Sequence, residues 1–241
     1  VRSGWSWGHH RGMDARGQAE RIRQFWDGYA ADYDAEPDHG LRGPGMHRAW
    51  RDLLARALPP APARVADLGC GTGSLTEVVA SLGHRVWACD SSAAMVALAG
   101  AKVARFADRV TVRQADAADP PLRPRSMDAV VARHVVWTML DPLAALSNWL
   151  RIVRPGGHLV LIEGRWQVHP DASYIGGPAL PWDGGVSAAD LTDALQGLGV
   201  TDLVVTPLVE EVLWGRAVED ERYLVVASVP GGAAHGPEPS A

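Results

Sequence analysis

The sequence has few cysteines and no long apolar run, and both features limit the class of protein. Only two cysteines occur among 241 residues, Cys70 and Cys89, so a disulfide-stapled fold is excluded and both are expected to be reduced packing thiols. No apolar run approaches membrane-spanning length, and no secretory signal pattern is present. We therefore expect a soluble, cytoplasmic protein without a membrane partner.

Basic residues are also few for a nucleic-acid partner. The chain has 23 Lys and Arg against 28 Asp and Glu, a formal net charge of −5, which argues against binding a phosphate backbone. No His, Asp and Glu cluster has the spacing of metal ligands, so we expect no metal. The 47% of hydrophobic residues can build one large domain.

A glycine-rich turn joins an apolar run to a helical pattern. The sequence is Val65-Ala66-Asp67-Leu68-Gly69-Cys70-Gly71-Thr72-Gly73-Ser74-Leu75, with Leu75, Val78, Val79 and Leu82 at helical spacing. This pattern predicts a strand, a tight turn and a helix. Glycine lets the backbone approach a ligand closely, and the start of the helix offers free N–H groups. The turn therefore indicates a nucleotide-like ligand.

The glycine spacing distinguishes between two cofactor classes. A dinucleotide fingerprint requires glycine at position 74, where the chain has Ser74. This spacing therefore disfavours a dehydrogenase. If the protein bound a nicotinamide cofactor, the dehydrogenase hypothesis would regain support. The pattern D-x-G-x-G-x-G resembles the first motif of class I S-adenosylmethionine-dependent methyltransferases. The resemblance implies that the methionine part of that cofactor is held by Asp67, Gly69, Cys70, Gly71 and Gly73.

The next two strands also end in acids. The strand 84–90 places Asp90 where a carboxylate suits a ribose, about twenty residues after the first glycine. The strand 110–117 contains Asp116 and Ala117, which by the resemblance bind adenine. Strands that end in acids at one sheet edge suit a ligand beyond their carboxyl ends. The resemblance also assigns Ser91, Met95 and Arg133 to the cofactor.

The residues before the first strand predict two helices and a loop. Apolar positions from Arg16 to Tyr33 follow a helical period, and this segment resembles a helix that covers the cofactor in small-molecule methyltransferases. Tyr29 and Tyr33 then close over the cofactor, or alternatively pack on the core. The loop 37–45 is rich in helix breakers, and a second helix follows. His39 in this loop contacts substrate as a lid residue, or is merely solvated.

The fourth strand, 127–132, is followed by a segment that faces the transferred methyl group in the resembled family. His134 lies there and is our candidate general base, because a neutral imidazole can accept the proton that an acceptor loses. The alternative is a buried residue that orders the loop by hydrogen bonding. Trp137 is expected to form a wall of the acceptor site.

The C-terminal half predicts two helices and three strands. Asp141 and Pro142 begin a helix that Arg154-Pro155-Gly156-Gly157 ends, and the fifth strand covers 158–164. The segment LRIVRPGGHLVLIEG resembles the menaquinone and ubiquinone C-methyltransferases and their antibiotic-pathway relatives. The irregular stretch 165–186 is expected to build the acceptor pocket with Trp166 and Tyr174. A capped helix from 187 and strands at 203–208 and 222–229 follow.

Together these features predict an α/β fold, a Rossmann-like doubly wound seven-stranded sheet that is mostly parallel. Its seventh strand is antiparallel, and an N-terminal helical cap precedes it. We expect disordered tails at 1–15 and 230–241, the cap at 16–60, and the cofactor-binding core at 61–229 with the insertion 165–186.

The predicted function is methyl transfer from S-adenosylmethionine to a small-molecule acceptor in secondary metabolism. The acceptor attacks the methyl carbon in a single in-line displacement, and S-adenosylhomocysteine is released. A quinone-pathway C-methyltransferase is the alternative among enzymes, and a non-catalytic module that binds S-adenosylmethionine is the alternative outside them. We expect a monomer or a homodimer.

Overall fold

The computed structural model describes residues 15–166, 174–175 and 178–231. The tails expected at 1–15 and 230–241 therefore lie almost entirely outside the described residues. The same holds for 167–173 and 176–177 of the expected insertion 165–186.

The described residues form alternating strands and helices. Two helices come first, α1 (Ala15–Tyr33) and α2 (Pro44–Ala57). The strands are β1 (Arg64–Leu68), β2 (Arg85–Asp90), β3 (Val110–Gln114), β4 (Met127–Arg133), β5 (Val153–Arg165), β6 (Thr201–Pro207) and β7 (Glu221–Ser228). The other helices are α3 (Ser74–Ser81), α4 (Ala93–Lys102), α5 (Pro142–Ile152), α6 (Ala188–Gly197) and α7 (Glu211–Trp214). Single 3-10 turns lie at 104–106 and 136–138.

The strands form one seven-stranded sheet in the order β3-β2-β1-β4-β5-β7-β6. The pairs from β3 to β5 are parallel, and β7 is antiparallel to both β5 and β6. The predicted fold class is confirmed. The strand order reverses between β1 and β4, where open α/β sheets form a ligand crevice beyond the carboxyl ends of their strands.

Alternate residues of the central strands enter two hydrophobic cores, one on each face of the sheet. Val65 of β1 packs in the core that contains α2 and α3, whereas the next residue, Ala66, packs in the core that contains α5 and α6. Trp50 and Trp149 are fully buried, one in each core. Helices on both faces thus hold the sheet rigid behind the crevice.

Helix starts agree with the sequence predictions, whereas two strand boundaries do not. Asp141 Oδ1 accepts the N–H of Ala144 at 2.9 Å, and Ser187 caps α6 in the same way. The segment 154–157 was predicted to end a helix, but it lies within β5, because Gly156 and Gly157 pair with Val229. The third strand ends at residue 114, before Asp116. Within the described part of the chain, no helix combines the length and apolarity that a membrane crossing requires.

Candidate active site

The glycine-rich turn between β1 and α3 places backbone where side chains cannot fit. Gly69 has φ +69°, and a Cβ there would lie 2.6 Å from Cγ2 of Val135. Gly71 has φ +53°, and a Cβ there would meet only the Tyr33 ring, at 3.7 Å. Gly69 therefore allows close packing of the β4 loop on the turn, whereas Gly71 leaves space open towards the crevice.

Gly73 is not among the residues that line the crevice, and its role in binding the cofactor stays a prediction. It caps α3 in the left-handed conformation, and a Cβ there would lie 3.0 Å from the backbone of Ala99 in α4. Its absent side chain lets the two helices approach each other. The role that the structure gives to Gly73 is packing.

Asp90 ends β2 and holds the glycine-rich turn in place. Its Oδ2 accepts the N–H of Gly71 at 2.9 Å, and its Oδ1 accepts the N–H of Ser92 at 2.9 Å. Burial raises the pKa of the Asp90 carboxyl, against the lowering effect of these two N–H groups. Each carboxylate oxygen still has acceptor capacity for a ligand hydroxyl.

A cavity of about 630 Å³ lies at the carboxyl edge of β1, β2 and β4. Ten of the predicted site residues line it: Tyr33, Gly69, Gly71, Asp90, Ser91, Met95, Asp116, Ala117, Arg133 and His134. Such a volume is typical of sites for drug-sized ligands and cofactors. Asp116 lies on the turn after β3, where its Oδ1 accepts the N–H of Ala118 at 2.8 Å.

A smaller cavity of about 20 Å³ lies beside the glycine-rich turn. Its lining includes Asp67, Cys70 and His39, with Tyr33 and Arg133 shared with the larger cavity. Asp67 is buried, and its Oδ2 accepts the hydroxyl of Thr76. Burial raises the pKa of the Asp67 carboxyl to about 6, although the Thr76 hydroxyl and the charge of Arg133 lower it.

Helix α1 covers the crevice and is attached at two points. Asp27 Oδ1 accepts the hydroxyl of Ser92 at 2.6 Å and the N–H of Ala94 at 3.2 Å, which ties α1 to the start of α4. Asp34, just after α1, forms an ion pair with Lys102 at 2.7 Å. These contacts hold the covering helix over the cavity.

Trp26, rather than Tyr29, is the cavity-lining ring in the middle of α1. Tyr29 was predicted to close over the cofactor but lines neither cavity, since its ring packs on Phe25, Trp26 and Tyr33. Tyr33, the other predicted residue, lines both cavities. The helical period identified the apolar face of α1 but could not select the ring that lines the cavity.

The loop after α1 is held by two arginines. Arg133 donates to the carbonyl oxygens of Asp38 at 2.7 Å and His39 at 2.9 Å. Arg222, at the start of β7, donates to the Asp38 carboxylate at 2.9 Å. His39 stacks on the Tyr33 ring at 4.2 Å, which places it at the smaller cavity. Arg133 thus joins the end of β4 to the loop that follows the covering helix α1.

His134 follows β4 with φ +58° and is one of the residues that line the larger cavity. Its ring stacks on Trp214 at 5.7 Å, and its buried Nε2 has no hydrogen-bond partner among the described residues. Burial, aided by the charges of Arg133 and Arg222, lowers the pKa of the imidazole well below its ordinary value. The imidazole is therefore neutral at pH 7, and its Nε2 is a buried nitrogen without a partner among the described residues.

The three aromatic residues predicted to form the acceptor pocket pack on one another instead of lining either cavity. Trp137 meets Trp166 at 5.6 Å and Tyr174 at 4.7 Å between ring centroids. Trp26 contacts both Trp137 and Tyr174, so the cluster adjoins the larger cavity through that ring. Aromatic edges attract neighbouring ring faces, which explains the mutual packing.

Most residues that form this site belong to a segment that is similar to known proteins. Residues 66–161 match the family described as "Methyltransferase domain". The demethylmenaquinone methyltransferase of Clavibacter sepedonicus is 32% identical over 144 residues, which cover 59% of this chain and 58% of that protein. The ubiquinone/menaquinone biosynthesis C-methyltransferase UbiE of Rubrivivax gelatinosus is 30% identical over 155 residues, which cover 64% of this chain and 60% of that protein. The matches thus span about three-fifths of the length of these curated relatives.

A solved structure extends the likeness to most of the chain. The (4+2)-cyclase SpnF superposes with a TM-score of 0.69, covering 89% of this chain and 97% of that chain at 20% sequence identity. At this identity the likeness concerns the fold. The resemblance to class I S-adenosylmethionine-dependent methyltransferases that the motifs indicate is confirmed.

Proposed function

We propose that this chain is an S-adenosylmethionine-dependent methyltransferase that acts on a small molecule. The observation that carries the proposal is the arrangement of three acids at one sheet edge: Asp67 near the end of β1, Asp90 at the end of β2, and Asp116 just after β3. All three line cavities that meet at the glycine-rich turn. The match of residues 66–161 to a methyltransferase domain supports the same conclusion.

The residues of the two cavities fit this cofactor. Asp67 supplies a carboxylate for the ammonium group, and Asp90 has oxygens that can accept ribose hydroxyls. Asp116 and Ala117 would hold the adenine ring, and Met95 offers an apolar side chain in the same cavity. Gly71 leaves open the space that a Cβ would fill. A larger residue at this position would narrow the site.

S-adenosylmethionine, when bound, supplies a methyl group that an aligned nucleophile takes in one displacement. Methyl transfer of this kind depends mainly on alignment, so the main task of the protein is to hold and enclose the reactants. Trp26 and Tyr33 exclude water from the covered side of the cavity. His134 accepts the acceptor proton at Nε2, which has no other partner among the described residues.

The acceptor is a flat or apolar natural-product precursor. The aromatic cluster of Trp137, Trp166 and Tyr174 beside Trp26 supports this class, because ring faces bind flat apolar molecules well. A quinone-pathway acceptor is the second candidate, favoured by the names of the relatives in Clavibacter and Rubrivivax. Turnover of a long-prenylated quinol, but not of polyphenols without a tail, would decide for the second candidate.

Calorimetry tests the cofactor assignment first. We expect S-adenosylmethionine and S-adenosylhomocysteine to bind the purified protein and a nicotinamide dinucleotide to give no heat. Dinucleotide binding alone would overturn the proposal. Tight binding of S-adenosylmethionine with no turnover across phenolic, amine and quinol acceptors would instead indicate a module without methyl transfer. We include the outcome without methyl transfer because SpnF, which shares this fold, is named as a cyclase.

Cofactor affinity should depend on pH through Asp67. Its pKa of about 6 means that the carboxylate forms as pH rises from 5 to 7, and only the carboxylate attracts the ammonium group. Affinity for S-adenosylhomocysteine should therefore rise up to about tenfold per pH unit below pH 6 and level off above pH 7. The Asp67→Asn variant should lose this dependence. The same pH dependence in wild type and Asp67→Asn would assign it to another group, such as Asp90.

Alanine at Gly71 and at Gly69 should separate cofactor binding from folding. At Gly71 the added Cβ finds only an ordinary contact with Tyr33, so the backbone conformation costs about 1–2 kcal/mol while the Cβ takes up ligand space. We expect about tenfold weaker binding of S-adenosylhomocysteine by calorimetry. At Gly69 the clash with Val135 should lower the free energy of unfolding by about 1–3 kcal/mol more than at Gly71. Equal denaturation midpoints would contradict this packing argument.

A further inference from the structure

Glu163 lies near the end of β5 and is 0% exposed. Its Oε1 accepts two backbone N–H groups, from Val135 at 2.9 Å and from Val136 at 2.8 Å. Its Oε2 is buried and has no hydrogen-bond partner among the described residues. A carboxyl group is costly to bury, and the charge of Arg133 offsets this cost only in part, so its position calls for a function.

The two N–H groups belong to the segment that leaves the sheet after β4. His134 donates its own N–H to the carbonyl of Ile162 at 2.9 Å, and the chain then turns away. The turn requires φ +58° at His134, a left-handed conformation that costs an L-residue about 1–2 kcal/mol. Such a conformation persists where surrounding bonds fix it. Glu163 supplies the bonds on the C-terminal side of the turn.

The two hydrogen bonds from Val135 and Val136 to Glu163, here called the clamp, also set the contact between the β4 loop and the glycine-rich turn. Val135, whose N–H Glu163 holds, is the residue whose methyl groups approach Gly69 most closely. On the other side of His134, the Arg133 side chain is fixed by the carbonyls of Asp38 and His39. His134 therefore lies between two anchored neighbours, and Glu163 is the anchor that comes from β5.

We propose that Glu163 is a positioning residue, which fixes Val135 and Val136 and so holds the His134 imidazole against Trp214 at the wall of the larger cavity. This role rests on the proposed function, in which His134 accepts the acceptor proton. Burial raises the pKa of the Glu163 carboxyl to about 8, so the neutral acid predominates at pH 7. Glutamine has the same shape as that neutral acid and retains an acceptor oxygen.

A matched pair of variants isolates the two hydrogen bonds. Glu163→Gln keeps an oxygen for both N–H groups, whereas Glu163→Met keeps a side chain of similar length without that oxygen. Nuclear magnetic resonance measures amide hydrogen exchange at Val135 and Val136, with Val130 and Val131 in the middle of β4 as internal controls. It also follows the titration of the His134 imidazole. Calorimetry with S-adenosylhomocysteine measures the cofactor site separately.

In Glu163→Met we expect exchange at Val135 and Val136 to accelerate at least about tenfold relative to Val130 and Val131. The freed imidazole should titrate closer to the ordinary histidine pKa of about 6.5. Glu163→Gln should restore slow exchange and the wild-type titration. Unchanged exchange and titration in Glu163→Met, or loss of both in Glu163→Gln, would overturn the positioning role.

Two features keep the test decisive. If Glu163→Met does not fold, couplings through the hydrogen bonds can be sought in the wild-type protein, between the Glu163 side-chain carboxyl carbon and the amide nitrogens of Val135 and Val136. Absence of both couplings would overturn the clamp. The exchange and titration measurements need no acceptor, so they hold whether or not methyl transfer is found. Failure of the wild type to bind S-adenosylhomocysteine would instead count against the proposed function.

Discussion

Replacing His134 by alanine should lower methyl-transfer turnover by about a hundredfold, with whichever acceptor the screen identifies. The Nε2 atom is buried without a partner among the described residues, and the low pKa of the ring keeps it neutral. Loss of this acceptor removes the group that takes the proton as the new bond forms. Affinity for S-adenosylhomocysteine should change less than about threefold, because we assign cofactor binding to other residues. Steady-state kinetics and calorimetry together measure the two effects.

His134→Asn is the matched control for the backbone. Asparagine adopts the left-handed conformation more readily than alanine, so it preserves the turn at φ +58° while removing the basic nitrogen. Both variants should therefore lose turnover to a similar extent. If the asparagine variant keeps wild-type turnover, His134 orders the loop and is not a base.

Replacing Asp90 by alanine should weaken binding of S-adenosylhomocysteine by about 1–3 kcal/mol, roughly five- to a hundredfold. The change removes acceptors for the ribose hydroxyls. It also leaves the N–H groups of Gly71 and Ser92 without their partner, so the glycine-rich turn loses a restraint. Calorimetry with S-adenosylmethionine and with S-adenosylhomocysteine measures the loss of affinity.

Asp108→Ala is a suitable control for the removal of one negative charge. Asp108 is exposed and bonds to the neighbouring Arg109 outside the crevice, so its removal should leave affinity unchanged. Asp90→Asn, which keeps one side-chain oxygen, should fall between the wild type and the alanine variant. Wild-type affinity in Asp90→Ala would refute the ribose assignment.

Much of the fold was predictable because its signals are local. The strand, glycine turn and helix at 65–82 are neighbours in sequence, and Asp141 and Ser187 cap helices within three residues. The start of β5 was not predictable in this way. Its Pro155-Gly156-Gly157 segment contains helix and strand breakers, and long-range pairing, which includes the bonds to Val229, keeps it in the strand. Long-range pairing leaves no local sequence signal.

The site residues also fall into those that a local sequence signal predicts and those that depend on long-range packing. Acids at strand ends predicted Asp67, Asp90 and Asp116, because the topology of a parallel sheet brings such ends together. The sequence also contained an acid at the end of β5, Glu163, but nothing in its neighbourhood revealed that it holds N–H groups 27 and 28 residues away. Trp26 was one of several rings on α1, and only packing against α4 determines which ring faces the cavity.

The contact between Arg222 and Asp38 joins residues 184 positions apart, and this has a consequence for synthesis on the ribosome. The strands that form the crevice, β1 to β4, are all made before residue 134. The loop at 38–39 gains its second arginine only after β7 has been synthesised and has inserted between β5 and β6. In a nascent chain, this loop therefore lacks the restraint from Arg222 until the late strand docks.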